Sequence, residues 1–230
     1  MKSCAVALLA VVLVGCHPSG APLKGLGNRV TFHVPGDSVT LAGATWGSAP
    51  VGVVFAHTFR DTKESWAPFA ETIASRGFLT LAFDFRGYGE SKGKKDPSKN
   101  DVDLEAAIAE IKALGATKVF LVGASMGGTA ALVVAAREEL AGVVAVSVPT
   151  EFSDIDALAA APSIEEPLLL VAADGDPDGA ATSARRLEAA TGNSTLDVIR
   201  GSRAHGTDLL EGPTAGRVST DIAQFLIDHR

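Results

Sequence analysis

The stretch KVFLVGASMGGTAAL, residues 118–132, runs from an apolar, β-branched segment through a glycine-dense turn into an alanine-rich segment. Ser125 stands alone between Gly123 and Gly127, where the pattern of a buried strand gives way to that of a helix. A G-x-S-x-G turn has two readings. Small residues permit a tight strand-to-helix connection in which the serine is idle, or the turn lifts a nucleophile clear of a sheet. The bare pattern is loose, so its placement decides. Ser125 directly follows a strand and directly precedes a helix, where N-terminal N–H groups face any negative charge that develops.

On either side of this turn, VGVVFAH (51–57), GFLTLAFDF (77–85), KVFLVGA (118–124), GVVAVSV (142–148) and PLLLVAAD (167–174) are nearly continuous apolar runs. Strands covered on both faces of a parallel sheet have this composition. Helical patterns lie between them. Residues 61–76 begin with Asp61 as a candidate N-cap and Glu64 placed to reach back to it. Residues 101–114 set Leu104, Ile108 and Ile111 on one face, and 213–229 form a stripe of Val218, Ile222, Phe225 and Leu226. Further helices are predicted over 127–140 and 179–190. RVTFHV (29–34) and SVTLAGATW (38–46), split by Pro-Gly-Asp, predict an antiparallel edge pair, and STLDVIR (194–200) a weaker last strand. Alternating strands and helices predict a doubly wound, mostly parallel α/β sandwich.

The 230 residues suit one domain with a substantial core. Twenty basic against 27 acidic residues give a net charge of −7, which argues against a nucleic-acid partner. At the N-terminus, Lys2 precedes the apolar AVALLAVVLV (5–14), shorter than the roughly 20 residues of a bilayer span. It ends in LVGC (13–16), which resembles the lipobox of bacterial lipoproteins. That resemblance implies a signal peptide over 1–15, lipidation of Cys16, a tether over 16–28 and a single domain over 29–230. It also implies membrane anchoring in the bacterial cell envelope, at the outer membrane where there is one, since His17 rather than Asp follows Cys16. The cysteines are Cys4 and Cys16, so after cleavage the domain has no thiol for a disulfide, a metal site or a nucleophile.

A serine hydroxyl needs a base. Of the five histidines, His17 lies in the tether, His33 in the leading strand pair, and His229 at the frayed end of the last helix. His57 precedes the serine at the end of a strand. His205, in the glycine-flanked loop GSRAHGTDLL (201–210), remains as the candidate. A carboxylate must then orient the imidazole, and LLLVAADGDPDG (168–179) offers Asp174, Asp176 and Asp178. Asp174, nearest the strand, can instead serve the turn.

FAHTFRD (55–61), AFDFRGYGES (82–91), GASMGG (123–128), AADGDPDG (172–179) and SRAHGTDLL (202–210) together resemble the α/β-hydrolase-fold serine hydrolases, among them esterases and dienelactone hydrolases. The likeness extends over the whole chain from residue 29. It implies that the acid lies three residues after the small residue ending its strand, here Ala173, which selects Asp176. It implies an oxyanion hole of the Met126 and Phe59 N–H groups, the latter in His57-Thr58-Phe59, where Thr58 stands in the place of the family's usual glycine. His57 and Arg86 become loop-shaping residues. The implied activity is hydrolysis of small carboxylic esters through an acyl-enzyme on Ser125, His205 and Asp176, with no metal or cofactor. The short segment 149–166 leaves room for a short helix at most, hence little or no lid. A binding module on the same fold, and a thioesterase or peptidase using the same residues, are the competing readings.

Overall fold

A computed structural model describes residues 27–230. The expected signal segment 1–15, Cys16 and nearly all of the tether lie outside the described residues. β1 (Asn28–His33) and β2 (Thr40–Trp46) pair antiparallel, and β2 pairs antiparallel with β4 (Leu79–Phe83). From β4 onward the neighbours are parallel: β3 (Val51–Ala56), β5 (Lys118–Ala124), β6 (Gly142–Val146), β9 (Leu168–Ala173) and β10 (Ser194–Ile199). The sheet order is β1-β2-β4-β3-β5-β6-β9-β10. The doubly wound expectation and its antiparallel edge are both present.

Each central strand feeds two cores by period-two alternation. In β3, Val53 and Phe55 face one side while Val54 and Ala56 face the other. In β5, Phe120 and Val122 oppose Val119 and Leu121. One side is covered by α2 (Asn100–Ala113), α3 (Met126–Ala135) and α5 (Ala180–Ala190), the other by α1 (Ala67–Ala74) and α6 (Ala215–Asp228). α1 sends Phe69, Ala70 and Ile73 into the core, and α6 sends Val218, Ile222 and Leu226. Full burial of each large side chain stabilises by about 1.5–3 kcal/mol.

Two local expectations are corrected. Residues 61–76 are not one helix capped by Asp61. A 3₁₀ turn, Lys63–Ser65, precedes α1, and Thr62 takes the N-cap position without a side-chain cap. The Asp61 carboxylate instead accepts from the Thr58 hydroxyl, and Glu64 accepts from Thr62 and pairs with Lys63 rather than reaching back. Residues 149–166 hold more than a short helix: a hairpin of β7 (Glu151–Phe152) and β8 (Ile155–Asp156) leads into α4 (Ala157–Ala160). Asp156 caps α4 through the Ala159 N–H. Among the described residues no helix is long and apolar enough to cross a membrane.

Candidate active site

The site lies where the parallel strands end. Ser125 follows β5 with φ 48° and ψ −114°, a left-handed conformation that costs a non-glycine residue about 1–3 kcal/mol. The turn is held because the Ser125 N–H donates to Val146 O at 2.8 Å, while its carbonyl accepts from Thr129 at 2.9 Å as α3 begins. The flanking glycines make the approach possible. A Cβ on Gly123 would lie 2.4 Å from Gly127 O, and one on Gly127 would lie 2.4 Å from Ala56 O. Met126 is the first residue of α3, so its N–H has no intrahelical acceptor.

His205 opens the 3₁₀ turn Gly206–Leu210. Its Nδ1 lies 2.8 Å from Asp176 Oδ2, which places the ring proton on Nδ1 and leaves Nε2 as the basic nitrogen. The Asp176 side chain is fully buried, and its Oδ1 accepts the Asp178 N–H at 2.9 Å. Asp178 is three-quarters exposed, with its carboxylate 3.7 Å from the same imidazole nitrogen. Asp174 turns away and accepts the Gly201 N–H at 2.8 Å. Of the three carboxylates, Asp176 makes the close contact. Ser125 and His205 both line a cavity of about 180 Å³ whose wall includes Pro149, Phe152 and Ala180.

Phe59 follows β3 through His57 and Thr58. His57 is wholly buried: its Nδ1 donates to Thr58 O at 2.6 Å, and its Nε2 accepts the Phe85 N–H at 3.1 Å. Burial pushes the imidazole pKa below its ordinary value, against the opposing pull of the Thr58 carbonyl and of Asp84. Among the described residues only Ser125, Ser147 and Ser153 are non-glycines with positive φ, so threonine at 58 causes no backbone strain. Its hydroxyl donates to Asp61 at 2.8 Å, and Asp61 also accepts from Thr207 at 3.4 Å. Asp61 thus ties the loop bearing Phe59 to the loop bearing His205. Phe59 is 45% exposed, and its ring centroid lies 5.5 Å from that of Phe152, which lines the cavity.

Sequence reasoning missed the buried charges behind this loop. Lys63 Nζ lies 2.8 Å from Asp84, 2.8 Å from Glu64 and 3.0 Å from Glu90, while the Lys63 and Glu90 N–H groups donate to the same Asp84 carboxylate. Burial opposes the lysine charge, but the three carboxylates outweigh it and raise the pKa. Arg86, expected to shape the adjacent loop, does so through Nη2 and Nε bonds to Asp103 at 2.7 and 3.0 Å and through Asp37 at 3.0 Å. Burial raises the Asp103 pKa even against that guanidinium. A sequence shows these only as ordinary charged residues, because Asp84, the buried partner of Lys63, and Asp103 and Asp37, the partners of Arg86, lie 17 to 49 positions away from them.

Asp176, Asp178 and His205 are, among the described residues, the one cluster of histidines and carboxylates whose ligand atoms come within 4.8 Å of one another. A metal at His205 Nδ1 would have to displace the bond to Asp176. Residues 52–161, which include Phe59, Ser125 and Met126, match the family described as alpha/beta hydrolase fold. The fold is that of the α/β-hydrolases. A Pyrococcus furiosus esterase superposes with a TM-score of 0.75 at 20% identity, covering 87% of this chain and 90% of that one. A monoacylglycerol lipase from Paleococcus ferrophilus gives 0.72 at 20%, over 83% and 99%. At such identities the likeness is one of fold. An epoxide hydrolase of Caballeronia sordidicola is 32% identical over 103 residues, 43% of this chain but only 30% of that protein. The α/β-hydrolase frame accounts for the common height of Ser125, Asp176 and His205, since each follows the C-terminal end of a parallel strand.

Proposed function

We propose that this α/β-hydrolase-fold protein is a serine hydrolase of small carboxylic esters. One observation carries the reading: His205 is hydrogen-bonded to a buried Asp176, and with a strained Ser125 it lines one cavity. In the proposed reaction His205 Nε2 takes the Ser125 proton as Oγ attacks the ester carbonyl, and Asp176 stabilises the imidazolium. The N–H groups of Phe59 and Met126 receive the oxyanion, each such donor contributing about 3 kcal/mol. His205 then protonates the leaving alcohol, and water activated by the same imidazole releases the acid. A carboxylate nucleophile would suit epoxide opening, whereas a serine at this turn suits acyl transfer. A cavity of about 180 Å³ favours small substituents.

Fluorophosphonate labelling tests the reading. Wild type should be modified, Ser125→Ala should not, and His205→Ala should react far more slowly. A folded wild-type protein that resists the reagent would shift the weight to a non-catalytic binding module. We also propose, from the lipobox-like LVGC, that Cys16 is lipidated and holds the domain at a bacterial membrane. Palmitate incorporation in a bacterial host should be lost in Cys16→Ser; its persistence would overturn the anchor.

A further inference from the structure

Adjacent strands β5 and β6 end alike. The Ser125 N–H donates to Val146 O and the Ser147 N–H to Val171 O, both at 2.8 Å, and the two serines have φ of 48° and 50°. Ser147 is 1% exposed, and its Oγ, shielded from solvent, has no hydrogen-bond partner. Native interiors nearly always satisfy such a hydroxyl. The left-handed backbone adds strain that glycine would avoid. Both costs fall on a residue in the wall of the cavity that holds Ser125 and His205, beside the apolar Pro149, Phe152 and Ala180. Strain and unmet hydrogen bonding in one wall residue are features that accumulate at ligand sites.

Ser147 lacks what would make it a second nucleophile. Val148 and Pro149 come next in the chain, so no helix N-terminus stands behind it and the proline offers no N–H. Its hydroxyl can still donate or accept one bond. We infer that Ser147 is the polar subsite of this cavity: seating of a substrate arm against Pro149 and Phe152 shifts the wall enough to uncover Oγ, whose hydroxyl then pairs with an oxygen on that arm. The substrate class is a short ester bearing a hydroxyl or oxo group on that arm, in preference to its plain alkyl counterpart. This deepens the serine-hydrolase reading and rests on it. The chemistry at the carbonyl belongs to Ser125; Ser147 discriminates between substrates.

The test uses the full chain, its Ser147→Ala and Ser147→Gly variants, and two ester pairs that exchange hydroxyl for methyl. Ethyl 3-hydroxybutyrate is compared with ethyl 3-methylbutyrate, and 2-hydroxyethyl butyrate with propyl butyrate. Intrinsic reactivity cancels when the kcat/KM ratio of a pair is compared between variants. Wild type should favour the hydroxyl member of at least one pair, and both variants should lose about tenfold of that preference. Ratios that are the same in wild type and both variants, for both pairs, would overturn the inference and leave the hydrolase reading intact. A folded wild type that neither cleaves any of the four esters nor reacts with fluorophosphonate would overturn both.

Discussion

Ser125 and Ser147 occupy equivalent slots on neighbouring strands, with the same backbone bond, nearly the same φ and a share in one cavity wall. The segments that leave these two serines differ. After Ser125 come Met126, Gly127 and Gly128, and α3 starts at once, so free N–H groups point toward the serine. After Ser147 come Val148 and Pro149, and the chain leaves the sheet for the β7–β8 hairpin. A strained serine at a strand end is therefore insufficient for nucleophilic chemistry. In the reaction proposed for Ser125, the helix behind the serine and a base before it make the difference, with His205 and Asp176 as that base.

The largest expected effect separates the two serines. Ser125→Ala should lower ester turnover by about 10⁴-fold or more while leaving thermal stability nearly unchanged. If Ser147→Ala had that effect instead, the comparison would be reversed. Asp176→Asn should cost about 10³–10⁴-fold in kcat by presenting the wrong imidazole tautomer, whereas the exposed Asp178→Asn should stay within about threefold of wild type. Comparable losses in the two variants would remove Asp176 from its assigned role.

The elbow's dependence on close approach can be probed by stability alone. Gly127→Ala pushes a methyl to 2.4 Å from Ala56 O and should destabilise by about 2 kcal/mol or more, read from the urea midpoint. An unchanged midpoint would mean that α3 can move away without cost. His57, at the end of β3, offers a contrast in pH. Its folded-state pKa lies below the ordinary value near 6.5, so the unfolded chain takes up a proton that the folded chain refuses. Its contribution to stability is complete above that pH and lost as pH falls below it, by up to about 1.4 kcal/mol per pH unit. Urea melts between pH 7 and 5 should show this slope, and His57→Gln should flatten it. The smallest effect belongs to Ser147→Ala, which deletes an unpartnered buried hydroxyl and should shift stability by less than about 1 kcal/mol, toward stabilisation. A clear destabilisation would reveal a partner for the hydroxyl within the protein.

The parallel strands and the Ser125 turn were legible because local patterns specify them: continuous apolar runs, two glycines, and a small-residue helix start. His205 emerged by elimination among five histidines. Asp176 needed the α/β-hydrolase resemblance, since three aspartates within five residues are equivalent to a pattern; in the fold Asp174 holds the Gly201 turn and Asp178 faces solvent. Asp61 misled, because its spacing from Glu64 imitates a capping box. In the fold its carboxylate bridges Thr58 and Thr207, the second of them 146 positions away.

Periodicity and turn chemistry act over a few residues, so residue order alone specified the strand–helix alternation, the sharp turn at Ser125 and the lack of a thiol after Cys16. Hydrogen bonding and desolvation act through space, between residues far apart in the chain. Folding in three dimensions selected which aspartate meets His205 and how Lys63 and Arg86 brace the loops beside the site. It also set Ser147, one serine among many in the sequence, strained and unpaired in the wall of the same cavity.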